Sequence, residues 1–115
     1  MTKEDFYDRG MAEFALAEYD KAIDSFRRAV ELDPGYFDAW HALGMACLRA
    51  GKIPEAIEAG KRAVALNPND MLAHTSLSMY YMKAGDKAMA EAEKGKATVI
   101  SWGGKVDNLD KPEKP

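Results

Sequence analysis

The chain repeats its own pattern at a fixed interval of 34 residues. When the sequence is shifted by that interval, small residues and methionines align in three columns: Ala22, Ala56 and Ala90; Ala29, Ala63 and Ala97; and Met11, Met45 and Met79. A period of about 20 to 50 residues is typical of proteins built from stacked copies of one supersecondary unit. The sequence therefore predicts three copies, over residues 3–36, 37–70 and 71–104.

Each copy contains two stretches with helical periodicity. In the first copy, apolar residues recur at close to the helical spacing in both stretches: Phe6, Tyr7, Met11, Phe14 and Ala15, then Ala22, Ile23, Phe26, Ala29 and Val30. Pro34 ends the second stretch, because a residue before proline avoids the helical region. In the middle copy Gly51 suits a helix C-cap and Pro54 suits the first turn of the next helix. These signals predict two helices in each unit.

The columns resemble those of the tetratricopeptide repeat (TPR) family, whose units carry a large apolar residue, then Leu-Gly, then spaced small and aromatic positions, then Pro. The middle unit matches at Trp40, Leu43, Gly44, Gly51, Ala56, Ala63 and Pro68. The third unit has His74, Ser78 and Trp102 in place of the aromatic residue, the glycine and the proline. The resemblance implies an all-α fold: an alpha-solenoid of three helix-turn-helix repeats in a right-handed superhelical array, forming a single domain over residues 1–104.

Composition limits the other possibilities. A length of 115 residues allows one modest domain, and 47% hydrophobic with 30% charged residues is ordinary for a globular protein. The sequence has no apolar run long enough for a membrane span and no apolar segment of the kind a secretory signal needs, so a cytoplasmic location is expected. The net charge of −3 and the lack of a basic stripe argue against nucleic acid as a partner. The single cysteine, Cys47, lies on an apolar helical face and is expected to be buried.

The outer face of the last helix becomes polar. Where the first unit has Ile23, Phe26 and Val30, the third has Glu91, Lys94 and Thr98. A terminal repeat has no successor to cover it and needs a polar outer face, so we expect a complete array of three units. Residues 105–115 are expected to form a polar, flexible tail.

Function in such an array is expected on the inner, concave surface, which the resemblance assigns to the first helix of each unit. Met11, Met45 and Met79 would form a ladder along it, beside a second ladder of Phe14, Leu48 and Met82. Methionine is flexible and polarisable and suits a surface that receives a partner's side chains. The alternative, that these residues pack between helices, stays open for the methionines and is equally favoured for Phe14 and Leu48. The candidate binding residues are Tyr7, Met11, Phe14, Asp38, His41, Met45, Leu48, Arg49, Thr75, Met79, Met82 and Lys83.

The predicted function is a non-enzymatic protein-protein interaction module that binds an apolar or amphipathic segment of a partner, such as a helix laid in the groove. Relatives that bind chaperone tails grip a carboxylate with Lys, Arg and Asn, whereas the corresponding positions here hold Tyr7, Met11, Ala42, Leu72 and Ser76. The alternative function is self-assembly through the groove or the terminal repeat, to which Trp102 would contribute if it is exposed rather than packed on Val99 or Ile100.

No catalysis, metal or cofactor is expected. The sequence has no phosphate-binding glycine loop, no HExxH and no CxxC. His41 follows Asp38 on one helical face, but the spacing to Cys47 turns the thiol away from the imidazole. His74 occupies the column of Trp40 and Phe6, which predicts a buried packing role.

Overall fold

The computed structural model describes residues 1–106, and these residues form six α-helices and no strand. The helices are α1 (Lys3–Ala15), α2 (Tyr19–Leu32), α3 (Phe37–Arg49), α4 (Ile53–Leu66), α5 (Met71–Ala84) and α6 (Lys87–Ser101). The prediction of an all-α solenoid built from three helical pairs is confirmed, and the pairs coincide with the three 34-residue units.

Local sequence explains where the helices begin and end. Thr2 forms a capping box with Asp5 at the start of α1, and Pro54 lies in the first turn of α4. Gly51 and Gly85 follow the first helix of the second and third units with φ of 78° and 82°. Ala17 occupies the same column in the first unit and also has a positive φ, of 59°. The turn between paired helices therefore imposes a left-handed residue in every unit, and in the first unit a Cβ carries the strain.

The helices form two rows. Each helix packs against the next along the chain, and in addition α1 contacts α3 and α3 contacts α5. Within residues 1–106, α2, α4 and α6 make no comparable contact with one another. The odd-numbered helices, called the inner row here, are therefore closer together than the even-numbered helices, called the outer row. The inner row lines the concave side, as the resemblance implied.

The core is filled differently in successive units. Phe26 of α2 lies over Gly10, where a Cβ would approach its ring to 2.5 Å. In the second unit the glycine, Gly44, is covered instead by Tyr80 from α5, whose hydroxyl would lie 2.9 Å from a Cβ. Tyr80 has room there because the column of Phe26 holds Gly60 in α4, and a Cβ on Gly60 would lie 3.1 Å from the Tyr80 ring. An aromatic ring thus covers each of these glycines, once from its own unit and once from the next.

The contact between Gly10 and Phe26 makes a prediction with a matched control. Replacing Gly10 by alanine should destabilise the protein by about 1–3 kcal/mol, because the buried ring has to move away from the new methyl group. Replacing Gly95 by alanine should stabilise it by up to about 1 kcal/mol, since Gly95 lies inside α6 with open space where the Cβ would be. Urea unfolding of both variants tests this, and equal shifts of the two midpoints would contradict it.

The beginning of the predicted tail contacts the turn between α4 and α5. Val106 is 2% exposed, and its backbone N–H donates a hydrogen bond to Asn69 Oδ1 at 3.0 Å. The predicted domain boundary at residue 104 therefore leaves out Val106, whose apolar side chain is buried near the α4–α5 turn. The rest of the predicted tail, residues 107–115, lies outside the described residues.

Candidate functional site

A cleft of about 200 Å³ opens between α1 and α3 of the inner row, and we call it the α1–α3 cleft. It is lined by Tyr7, Met11, Phe14, Phe26, Asp38, His41, Ala42 and Met45. The structure thus brings together many of the predicted binding residues: Tyr7, Met11, Phe14, Asp38, His41 and Met45. Sequence reasoning missed Phe26, because it treated α2 as core only. It also passed over Ala42 as a lining residue, although the helical spacing of Asp38, Ala42 and Met45 pointed to it.

The polar groups of the α1–α3 cleft differ in charge. Burial raises the pKa of Tyr7, and the nearby carboxylates of Asp38 and Asp8 raise it further. Burial lowers the pKa of His41, and this effect is larger than the increase caused by the nearby charges of Asp70 and Asp38. The phenol and the imidazole are therefore neutral at pH 7, and Asp38 is the charged group of the lining.

His41 is held by an aromatic neighbour rather than by a carboxylate. Its ring stacks on Phe37, with the ring centroids 6.1 Å apart and the planes inclined by 18°. In the part of the chain that the structure describes, His41 makes no hydrogen bond with Asp38. The imidazole therefore contributes a flat, uncharged wall to the cleft.

The second predicted ladder is partly core. Phe14 and Leu48 are half-buried and pack against the central cluster of buried residues. The Phe14 ring meets Tyr19 edge-on at 5.4 Å, and the Arg49 guanidinium lies 5.8 Å from the centroid of Phe14. Both of the alternatives from the sequence therefore apply to Phe14, which packs on the core and also lines the α1–α3 cleft.

The predicted residues of the third unit lie elsewhere. Thr75, Met79 and Met82 line a wider groove of about 490 Å³ between α5 and α6, which we call the terminal groove. Met79 and Met82 are 38% and 53% exposed, and Lys83 is exposed without lining either cavity described here. The other lining residues are Met71, Ser78, Ala90, Glu91, Lys94, Ala97, Thr98 and Ser101. This surface is the place where the first helix of a following unit would pack, so the predicted residues divide between two sites.

The terminal groove could have been predicted from the repeat pattern of α5 and α6 taken together. Its residues are equivalent, at twice the repeat interval, to the surface of α1 and α2 on which α3 packs. Glu91, Lys94 and Thr98 were recognised as a polar outer face, and they are also the outer wall of this groove. The columns of both helices together predict that Met79 and Met82 line the same groove as these three residues.

His74 is buried as predicted, but it belongs to a polar network. Its Nε2 donates a hydrogen bond to the Pro68 carbonyl at 2.6 Å, as Trp40 Nε1 does to Pro34 in the preceding unit at 2.8 Å. Its Nδ1 lies 2.8 Å from Glu93 Oε1, and Lys96 Nζ lies 3.3 Å from Glu93 Oε2. Both ring nitrogens face oxygen acceptors, so the ring is held as an imidazolium. Sequence reasoning missed Glu93.

The energetics of this network follow from opposing effects. Burial alone would lower the pKa of His74, but its hydrogen bonds to Glu93 and Pro68 raise it above its ordinary value. Burial alone would raise the pKa of Glu93, but the hydrogen bond from His74 and the charge of Lys96 lower it. The pair is therefore an ion pair inside the third unit, remote from the α1–α3 cleft.

Other kinds of site find little support. Cys47 is buried, as predicted, and burial raises the pKa of its thiol. Among residues 1–106, no three His, Cys, Asp or Glu side chains are grouped so that they could hold a metal ion. Over the same residues, no helix has both the length and the apolar character needed to cross a bilayer.

Comparison with known proteins identifies the fold family. The model of the tetratricopeptide repeat family matches residues 7–71. Among solved structures, one of MamA shares 29% identity over 89% of this chain, with a TM-score of 0.85, and a second shares 27% over 99%, with a TM-score of 0.84. The match covers 60% and 61% of those MamA chains, so this chain spans about three fifths of their length.

A more distant neighbour shares the fold alone. The first TPR of Spaghetti (RPAP3), bound to the HSP90 peptide SRMEEVD, is 20% identical, with a TM-score of 0.82 over 86% of this chain and 79% of its own. No curated protein matches the chain. The family match, together with the six helices in three pairs, shows that the chain belongs to the tetratricopeptide repeat family.

Proposed function

We propose that the chain is a non-enzymatic interaction module that binds an apolar or amphipathic segment of a partner protein along its inner row. The observation that carries the proposal is the α1–α3 cleft, which has mainly apolar walls and opens beside the exposed side chains of Met11 and Asp38. An apolar cavity with a polar rim on an otherwise polar surface is typical of interaction sites.

The fold supports a peptide ligand. A solved TPR domain of the same fold, that of RPAP3, holds a peptide of HSP90. In our chain the positions of the carboxylate-gripping residues hold neutral side chains such as Tyr7, Met11 and Ala42, and Asp38 adds a negative charge nearby. We therefore propose a ligand other than an acidic chaperone tail, in contact with the predicted binding residues of the inner row.

A substitution at the centre of the proposed groove tests this function. Replacing Met45 by glutamate should abolish partner binding, because the half-buried side chain lines the α1–α3 cleft and an apolar partner would strip the new carboxylate of its water. A pull-down from lysate followed by mass spectrometry compares this variant with the wild type. Met89→Glu is the matched control, since Met89 is exposed on the outer row and its column holds Lys21 and Glu55 in the other units.

The outcome is interpretable only if both variants fold, which circular dichroism and urea unfolding establish. A partner kept by the wild type and by Met89→Glu but lost by Met45→Glu would support the groove. Identical partners with all three proteins would show that binding occurs on another face.

A second candidate function is self-assembly, and the exposed end of the array favours it. Trp102 is 82% exposed at the C-terminus of α6, so it does not pack back on Val99 or Ile100. It follows Ser101, which lines the terminal groove together with Met71, Met79 and Met82. Sedimentation over a concentration series distinguishes the two functions: a binding module stays at 12.7 kDa, whereas an assembly gives multiples of that mass. A cytoplasmic location stays a prediction from the sequence, to be tested by cell fractionation.

A further inference from the structure

The size of the α1–α3 cleft restricts what enters it. At about 200 Å³ it is smaller than the roughly 300–1,000 Å³ of pockets that enclose a small molecule. It therefore suits one side chain of a partner segment that runs across the inner row. The chemistry of its walls indicates which side chain.

The walls are apolar and the charge beside them is negative. Met11, Phe14 and Met45 provide apolar surface, and among the described residues Asp38 is the one carboxylate of the lining. Asp38 forms no ion pair within residues 1–106. Two further acids, Asp8 and Asp70, lie close enough to act electrostatically on Tyr7 and His41.

Basic residues do not cancel this charge. Over the range that the structure describes, no lysine or arginine lines the cleft. The two basic residues of α1 nearest to Tyr7, Arg9 and Lys3, are paired with Glu13 and Asp33. Arg49 stacks over Phe14, towards the C-terminal end of α3 and three turns from Asp38. The end of the cleft at Asp38 therefore carries negative potential.

We propose that the α1–α3 cleft is an anchor site for one lysine or arginine side chain of the partner segment. Its methylene groups lie against Met11, Phe14 and Met45, and its cationic head meets Asp38. Such side chains bury an apolar stem while keeping the charge at the surface. A leucine would fill the same volume, but it would cover the Asp38 carboxylate without giving it a partner. This inference rests on the proposed function, because it specifies the ligand of the same groove.

A selection from random peptides tests the anchor. A phage-displayed library of random dodecapeptides is selected on the immobilised full chain, and the recovered peptides are synthesised with a fluorescent label. Anisotropy then gives their affinities for the wild type, Asp38→Asn, Met45→Ala and the control Asp24→Asn, which removes a negative charge from the exposed surface of α2. Circular dichroism confirms that each variant is folded.

We expect the peptides to share a lysine or arginine at one position. Replacing that residue by norleucine should weaken binding to the wild type about 10-fold to 150-fold, the usual contribution of a hydrogen bond to a charged group. The same replacement should change binding to Asp38→Asn by less than about twofold, because the carboxylate it pairs with is gone. Asp24→Asn should bind like the wild type.

Two results would overturn the inference in different ways. Peptides that bind Met45→Ala more weakly than the wild type, yet carry an apolar anchor and do not respond to Asp38→Asn, would overturn the basic anchor and leave the proposed function standing. Failure to select any peptide that depends on Met45 would overturn the proposed function, and the anchor with it.

Discussion

Replacing Glu93 by glutamine is expected to lower the free energy of unfolding by about 3 kcal/mol near pH 6, because it leaves the buried imidazolium of His74 without its carboxylate. The two side chains are almost completely covered, so water cannot replace the lost partner. Chemical unfolding at fixed pH measures the effect.

The pH dependence of stability should distinguish the variant further. The pKa of His74 is raised in the folded state, so its contribution is complete below about pH 6.5, the unfolded value, and is lost as the pH rises through the folded value. The pKa of Glu93 is lowered, so its contribution is present above about pH 4.3 and is lost on acidification. The pair therefore stabilises the fold most between about pH 4.3 and 6.5.

The glutamine variant should differ from the wild type in how its free energy of unfolding depends on pH above about pH 5. Without Glu93, burial favours the neutral imidazole of His74, so the variant should gain stability between about pH 5 and 7 while the wild type gains none from this residue. Glu91→Gln, exposed on the same helix, is the control and should follow the wild type. Parallel curves for Glu93→Gln and the wild type would show that the buried pair is not ionised.

The second large effect is expected at Tyr80, which is 1% exposed and covers Gly44 and Gly60. Replacing it by alanine should destabilise the protein by about 3–5 kcal/mol through the cavity that it leaves between α3, α4 and α5. Adding Gly60→Phe should restore part of the loss. The double variant would have Phe at position 60 and Ala at position 80, as the junction of the first two units has at the equivalent Phe26 and Ala46.

A double-mutant cycle measures this compensation. Gly60→Phe alone should be destabilising, since its ring would collide with Tyr80. The double variant should therefore be more stable than the sum of the two single changes predicts, by at least about 1 kcal/mol. Additive effects would show that a phenylalanine at position 60 does not fill the space left by Tyr80 in the way that Phe26 fills the first junction.

The sequence predicted the architecture because its columns report backbone positions that recur. Ala22, Ala56 and Ala90 are all buried, and the six predicted helices are present within residues 1–106. Periodicity also placed His74 in a buried column. It did not reveal Glu93, because the equivalent positions hold Ser25 and Ala59. A glutamate in such a column is not recognised as buried until the side chain that pairs with it is known.

The candidate site was harder to predict for a geometric reason. A repeat gives each inner-row residue an equivalent in every unit, which suggested one continuous methionine ladder. The position of a unit in the stack decides what covers it, however: Met11 and Met45 face a neighbouring helix, whereas Met79 lies at the open end. The cleft also depends on Phe26, whose column holds Gly60 and Lys94 in the other units.

The two rows of helices also have a mechanical consequence. Each junction between units consists of an outer helix packed on the next inner helix and of a smaller contact between the two inner helices, so adjacent units rock against each other only as far as this packing yields. Such rocking fans the outer helices apart without breaking a direct contact between them, and it alters the curvature of the inner row. The width of the α1–α3 cleft is thereby coupled to the angle between the first two units, so a ligand held between α1 and α3 would stiffen that junction.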